Sequence, residues 1–344
     1  MNEKFLITTA TVGEKDEMVR CLDRTTGKEI WQQTWTGSLK VPFFAARNGS
    51  WIRATPTIDG DRLYVAGIRD VLVCFNLPDG KELWRFDAMK ELGTAAPAFG
   101  CVCSPLVDTQ GIYFQAGLTV CKLDKTTGKL LWKALKENDS MMGSAFSSPV
   151  LSELGGKEQI VVQTRSRLAG VDKDSGEVMW EKAIPTFRGM NILTPVTYEN
   201  QVFTSTYGGN TRLIDISLKD KQMTTTDKWQ LKYEGYMTTP VIVQDNAYWF
   251  GKDRRFISVN LKTGKENWRS EERFGEYCSL VVRNDKILAL DMNGKLYLLN
   301  ANPKEFEILD QTVVSKEETW AHLAVVDNQL YIRDLKKTKA FLWK

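Results

Sequence analysis

Apolar positions along this chain come in short, strand-length runs and never in a sustained 3.6-residue stripe. The one helix-like piece is brief, around Asp87–Leu92. The runs recur in a fixed frame. Leu22, Phe75, Leu123, Val171, Ile214, Val259 and Leu299 each stand immediately before an Asp or Asn, as one inward-facing column of a strand would. From five of these Asx residues the chain aligns without a gap: DRTTGKEIW (Asp23–Trp31), NLPDGKELW (Asn76–Trp84), DKTTGKLLW (Asp124–Trp132), DKDSGEVMW (Asp172–Trp180) and NLKTGKENW (Asn260–Trp268). Gly follows the Asx residue by four positions and Trp follows Gly by four. Two further copies are degenerate. Asp215–Trp229 carries six extra residues, assigned to the turn, and Asn300–Ile308 has Lys304 at the Gly slot and Ile308 at the Trp slot.

A second landmark precedes each hairpin. Thr55-Pro56, Ser104-Pro105, Ser148-Pro149, Thr194-Pro195 and Thr239-Pro240 each open an apolar run, and Ser279-Leu280 and His322-Leu323 continue the series without Pro. Tight turns such as Asp59–Val65, Asp245–Phe250 and Asp327–Ile332 then join a first strand to a second. The repeat therefore reads strand, turn, strand, loop, strand, Asx-Gly hairpin, strand. The Asx side chain starts the turn by bonding backbone two residues on. Gly supplies a positive φ in a hairpin with a bulge. The Trp lies on the outermost strand, where a large ring can cover the neighbouring sheet and its N–H needs a partner. One four-stranded sheet cannot bury both faces, and stacked neighbours can.

These features predict an all-β protein, a β-propeller of four-stranded antiparallel blades occupying residues 1–344 as a single domain. Six complete blades fit between Thr55 and Leu309. Phe5–Trp31 supplies three strands without the innermost, and His322–Lys344 about three without the outermost. Eight blades with two incomplete is the preferred count, and seven is the alternative. The missing strand leaves an edge that upstream residues or a partner strand would fill.

The composition agrees with a large apolar core, 42% hydrophobic and 26% charged. The 46 basic and 43 acidic residues are interspersed, and Lys336-Lys337 is the nearest approach to a basic run, so nucleic acid is not an expected partner. No stretch approaches the roughly 18 apolar residues that span a bilayer, and the first residues lack the apolar core of a signal peptide. Compartment is therefore not readable from the chain. The six Cys read as small buried hydrophobes, with Cys101-x-Cys103 a weak candidate for a metal or redox pair.

The Asp-x-x-Thr-Gly-Lys-x-x-Trp hairpin followed by a Ser/Thr-Pro strand resembles the pyrroloquinoline-quinone (PQQ)-type, Trp-docking β-propeller repeat. Residues 277–310 and 319–325 are similar to bacterial PQQ-binding-like propeller repeat proteins. The resemblance extends over nearly the whole chain. It implies a bacterial protein of the periplasm or outside the cell, since such propellers usually carry export signals. Its members include quinoprotein alcohol dehydrogenases and an outer-membrane assembly lipoprotein of the β-barrel machinery. The dehydrogenases hold quinone against an adjacent Cys-Cys disulfide and bind Ca²⁺ through Glu, Asn and Asp. Cys101 and Cys103 are not adjacent, and the Ca²⁺ positions have no assignable counterparts here.

Catalytic constellations are sparse. With one His, His322, multi-His metal sites are impossible, and its slot is that of Thr55, Ser104 and Ser279 at the start of an innermost strand. No phosphate-binding glycine loop is present. A ligand is expected at the central funnel, where loops enter the innermost strands. Trp51, Arg53, Arg188, Asn191, Tyr236, Glu276, Tyr277, Trp320 and His322 are the candidates for its lining. The alternative is that these aromatics pack blade on blade. Two Arg among them would favour an anion. The long connection Trp35–Arg53, with Phe43, Phe44 and Trp51, would cap one face or dock a partner. The preferred reading is a non-catalytic binding scaffold for a protein or for a small-molecule or sugar ligand, with no resident cofactor. The alternatives are a quinoprotein-like oxidoreductase with PQQ and Ca²⁺, or a carbohydrate-active or sugar-binding propeller.

Overall fold

Each repeat folds as one antiparallel meander. The computed structural model describes residues 1–13, 15–37, 39–42, 52–138 and 143–342. Blades 1 to 8 occupy residues 5–36, 57–87, 106–134, 150–183, 196–231, 241–269, 278–313 and 324–342. Among the described residues, blades 2 to 7 have four strands, and blades 1 and 8 have three. The protein is an eight-bladed, all-β propeller, and the expected short helix is present as Ala88–Leu92, capped by Asp87 and ended by Gly93. The blades group into two compact units, Met1–Ser152 with Glu158–Glu181, and Glu153–Lys157 with Lys182–Lys344.

Within each unit the apolar cores lie between successive blades. In the first unit, Val19, Cys21 and Trp31 of blade 1 pack on Leu63, Val73 and Phe75 of blade 2. Tyr64, Leu72 and Cys74 then pack on Ile112, Phe114 and Cys121 of blade 3. In the second, Phe203 and Leu213 meet Ala247, Trp249 and Val259, and Tyr248 and Phe250 meet Cys278, Leu280 and Tyr297. All six Cys are buried and none is in a disulfide.

The hairpin that marks the sequence shows why its spacing is fixed. Asp23 Oδ1 accepts the Thr26 N–H at 2.7 Å, and Gly27 N–H donates to the Asp23 carbonyl at 2.8 Å. The same three-residue reach recurs at Asp124, Asp172 and Asn260, while the expected two-residue bond is added at Asp124 and Asp172. The hairpin Gly residues have φ between 69° and 78°. A bulge follows, so that Leu22 faces Glu29 but Cys21 faces Trp31. Because a one-residue slip reverses the faces of a strand, this extra residue selects the side on which Trp lies.

The indole then crosses to the next blade. Trp31, Trp84, Trp132 and Trp229 donate from Nε1 to the carbonyls of Leu77, Lys125, Lys173 and Leu261 at 2.7, 3.3, 3.2 and 2.7 Å. Each acceptor is the residue after the next hairpin's Asx. A Cβ on Gly80, Gly128, Gly176 or Gly264 would stand 2.5–2.8 Å from these indoles. Glycine is thus required for its positive φ and for the ring lying on it. Trp180 instead donates to Gln159 Oε1 of its own blade at 2.6 Å.

Both degenerate copies depart from the expected alignment. The six extra residues of Asp215–Trp229 lengthen the strands to Thr211–Lys219 and Gln222–Leu231, and the turn closes through Asp220 and Lys221, both at positive φ. In blade 7 the residue opposite Leu298, in the Trp register, is Asp310, and Ile308 pairs with Leu299. The turn there is longer by two residues. Phe306 fills it, 5.3 Å from the Trp268 ring, and Trp268 donates to Asn302. The Ser/Thr before Pro also gains a reason. Ser104 Oγ accepts the Thr55 N–H at 2.9 Å and Ser148 Oγ the Ser104 N–H at 3.0 Å, joining neighbouring innermost strands.

These contacts order a mutant series in denaturant unfolding. Trp31→Phe keeps most of the apolar contact but strands the Leu77 carbonyl, an expected loss of about 1–3 kcal/mol. Trp31→Ala opens a cavity as well, for about 3–5 kcal/mol. No loss on Trp31→Phe would show that the indole N–H contributes nothing.

Candidate functional site

In a blade, the loop entering the innermost strand and the turn between the second and third strands lie at one end. At this end of blades 5 and 6 the sequence builds an exposed aromatic ledge. The loop entering blade 5 makes a 3-10 turn, Phe187–Gly189, with Arg188 at φ 53°. Phe187 N–H and Thr186 Oγ1 both donate to the Tyr207 carbonyl, at 2.7 and 3.0 Å, and Thr206 Oγ1 donates to the Pro185 carbonyl at 2.9 Å. Two loops distant in sequence are thereby strapped together. A Cβ on Gly208 would stand 2.7 Å from the Phe187 Cβ, so only glycine admits this approach.

The rings form a continuous row. Phe187 meets Tyr207 edge-on at 5.4 Å, and Tyr207 lies 5.2 Å from Tyr236. Lys252 Nζ sits 4.9 Å from the Tyr207 centroid and 4.8 Å from that of Tyr236. The Arg188 guanidinium lies 5.0 Å from the Phe187 centroid. Such cation–ring contacts contribute on the order of 0.5–1 kcal/mol at exposed sites. Glu234 supports the row, accepting the Gly208 N–H at 2.9 Å through its carboxylate and the Lys252 N–H at 2.8 Å through its carbonyl. Phe187 is 46% exposed. Burial, followed by the negative charge of Glu276, raises the Tyr236 hydroxyl pKa.

Of the sequence candidates, Arg188 and Tyr236 belong to this ledge. Asn191 is buried beneath the same loop, and Glu276 is exposed. Tyr277 and Trp320 form a separate parallel stack, 6.0 Å apart at 9°, with Trp320 Nε1 donating to Glu318 at 2.8 Å. Burial raises the Tyr277 pKa. His322 is exposed, its Nδ1 2.9 Å from the Leu323 carbonyl, which can only accept. Arg53 lies in the other unit, where burial lowers its pKa. Trp51, Phe43 and Phe44 lie outside the described residues. Phe187, Tyr207 and Lys252 were not among the candidates. The signal for the latter two is the polar turn Thr206–Asn210 and its counterpart at Gly251–Arg254, which return to the loop end of the blade.

The end of the first unit is held by buried acids. Glu17 accepts the Ile68 N–H at 2.6 Å and the Trp35 indole N–H at 2.8 Å, tying blade 1 to blade 2. Asp70 accepts the Gly117 N–H at 2.9 Å, tying blade 2 to blade 3. Burial pushes Glu17 up to about 7 and Asp70 up to about 6, against the hydrogen bonds that lower them. Cys101 and Cys103 lie beside Asp70, and burial drives both thiols up. They are core residues, fully covered by blades 2 and 3. Neither can present a sulfur to a quinone ring, and no group of three or more acidic, Cys or His residues is placed to hold a metal among the described residues. Cys101 and Cys103 therefore do not form the disulfide against a quinone ring that the resemblance implies. No helix among the described residues is long and apolar enough to cross a membrane.

The family model described as outer membrane protein assembly factor BamB matches residues 15–270. The chain belongs to this family of PQQ-like β-propellers. BamB of Yersinia pestis is 22% identical over 318 residues, 90% of this chain and 75% of that protein. BamB of Shewanella oneidensis is 23% identical over 328 residues, 90% of this chain and 76% of that protein. Among solved structures, BamB from Moraxella catarrhalis superposes with a TM-score of 0.69 at 15% identity, covering 97% of this chain and 95% of that one. The computationally designed protein Ika8 reaches 0.65 at 11%, covering 99% and 94%. The BamB family and an unrelated design thus share the blade architecture.

The buried acids give a pH signature. Their folded pKa values lie above the unfolded ones, so their stabilising contribution is complete below about pH 4 and is lost as pH rises through 6 to 7. The Tm advantage of the wild type over Glu17→Gln should shrink between pH 5 and pH 8. A constant difference across that range would show that Glu17 does not titrate there.

Proposed function

We propose that this protein is a non-catalytic scaffold in outer membrane protein assembly, working on the periplasmic side, and that it engages a protein partner through the ledge of blades 5 and 6. The family supports the process, since its relatives are assembly factors by name. The observation that carries the site is the exposed Phe187, held by a strained Arg188 on a row of two tyrosines with two cations over the rings. Aromatic and Arg side chains dominate binding energy at protein interfaces, and rings fixed in advance lose little entropy on binding. The partner so engaged meets the loop end of the blades, where the sequence expects a ligand. A protein surface is favoured over a small molecule because Phe187 is exposed and its row of rings carries two cations, the aromatic and Arg content of a protein interface.

The test is complementation. Deleting the gene should lower folded β-barrel proteins in the outer membrane, and wild type should restore them. The double variant Phe187→Ser, Arg188→Glu should still fold, with a Tm lowered only by the loss of these surface ring contacts, yet fail to restore them. Full complementation by that variant would remove the ledge from the proposal. Normal β-barrel levels in the deletion would remove the process.

A further inference from the structure

The hairpin of blade 5 runs on well beyond its bulge. In blades 1, 2, 3 and 6 the outermost strand reaches its bulge after one paired residue, and in blade 7 after two. In blade 5 six residues, Gln222–Asp227, are paired before the register shifts between Leu213 and Ile214. Bulges and charged side chains are what keep an edge strand from pairing with another chain. Gln222–Thr226 has neither, and three of its residues are β-branched threonines. The strand stands last in its sheet, so no strand among the described residues pairs with its outer edge.

The overhang is braced from within its own unit. Ile216 N–H donates to the Asn200 carbonyl at 2.9 Å, and Asn200 Oδ1 accepts the Gly155 N–H at 2.9 Å. A Cβ on Gly155 would stand 3.1 Å from Met223 Cε, so this turn supports the face that carries Met223 and its partner Leu218. On the other face Thr224 Oγ1 donates to the Ser217 carbonyl at 3.3 Å, and Thr224 and Thr226 are exposed. The turn residues Asp220 and Lys221 and the bulge residue Lys228 are exposed as well.

We propose that the outer edge of Gln222–Thr226 is a homodimer contact, a second copy of this chain adding its own Gln222–Thr226 antiparallel about a two-fold axis at Thr224. The register follows from the hairpin. Next to a two-residue turn the flanking pair, Lys219 and Gln222, exchanges its backbone groups, and such pairs alternate along the ladder. Ser217–Thr224 is then bonded too, and Met223 and Thr225 turn their N–H and C=O to the outer edge. A two-fold pairing has to match outward groups with outward groups, which leaves axes at Met223, Thr224 or Thr225. Among these, the axis at Thr224 sets Asp220 of each copy opposite Lys228 of the other. It also bonds Met223 to Thr225 across the axis and places Thr224 beside Thr224, a favourable cross-strand pair. Lys221 comes opposite Asp227, which also faces Lys182 and Arg212 at 3.2 and 3.7 Å. The edge is thus complementary to itself in charge, as a two-fold contact requires. It lies at the hairpin end of blade 5 and does not depend on the ledge at the loop end.

Analytical ultracentrifugation of the full chain over a concentration series tests this. The wild type should show a monomer–dimer equilibrium. Thr225→Pro should be monomeric, because it removes an N–H that points to the outer edge and leaves the bonds within the hairpin in place. Lys228→Asp should weaken the dimer about tenfold, since it replaces two attractive pairs across the axis by two repulsive ones. Adding Asp220→Lys should restore it, the positive φ of that turn already being met by Lys at position 221. Both charge variants alter exposed side chains only, so they decide the matter if Thr225→Pro lowers the Tm. A wild type that stays monomeric up to about 1 mM, a folded Thr225→Pro protein that dimerises as wild type does, or a Lys228→Asp dimer as tight as wild type would each overturn the proposal. So would failure of Asp220→Lys to recover the Lys228→Asp dimer.

Discussion

The structure depends on a flat indole laid against a glycine that has no side chain to obstruct it. A blade has two apolar faces and can bury neither alone. Its outermost strand is the least covered, because it has a neighbour on one side only. The Trp solves this locally by covering the next hairpin and giving its N–H to a carbonyl there. Three backbone features must agree for that to happen. The Asx side chain sets the turn, the left-handed Gly clears the platform, and the bulge turns the Trp to the correct face. Each is meaningless without the others, which is why the nine-residue spacing repeats without a gap. Where the turn changes length, the dock changes with it, as at Phe306 beside Trp268.

That local logic is why the architecture was legible in the sequence. Apolar columns, turn residues and Trp spacing act over a few residues, so they leave a linear trace. The degenerate copies show the limit of such a trace. Counting from Asn300 puts Ile308 in the Trp slot, but the hairpin holds two more residues and the pairing puts Asp310 there. In blade 5 the extra residues go into the strands, because Asp220 and Lys221 both accept positive φ and close a two-residue turn. A gap in an alignment says how many residues are added and not which element absorbs them.

The candidate site was legible only in part, for a related reason. Loops entering the innermost strands can be found by the Ser/Thr-Pro that ends them, so Arg188 and Tyr236 could be named. Tyr207 and Lys252 come from turns within a blade that lack such a marker and meet Phe187 only through folding. Glu17 and Asp70 escaped notice because an acid in sequence looks like a surface residue. Their burial follows from amide donors of the next blade, which only the packing of blade on blade brings to them.

The two ends of a blade therefore do different work. The hairpin end carries packing, and its residues are fixed by the indole dock. At the loop end of the first unit, buried acids take up the amide groups of neighbouring turns. At the loop end of blades 5 and 6 the corresponding turns are fixed by backbone bonds, Phe187 to Tyr207 and Lys252 to Glu234. Phe187 and Lys252 are thus held through their backbone N–H groups. A surface built this way is rigid before contact and mixed in charge, with Glu234 and Glu276 beside the cations. It favours a partner that offers an apolar group to the rings and paired charges at the rim, and it disfavours one bearing a single sign of charge.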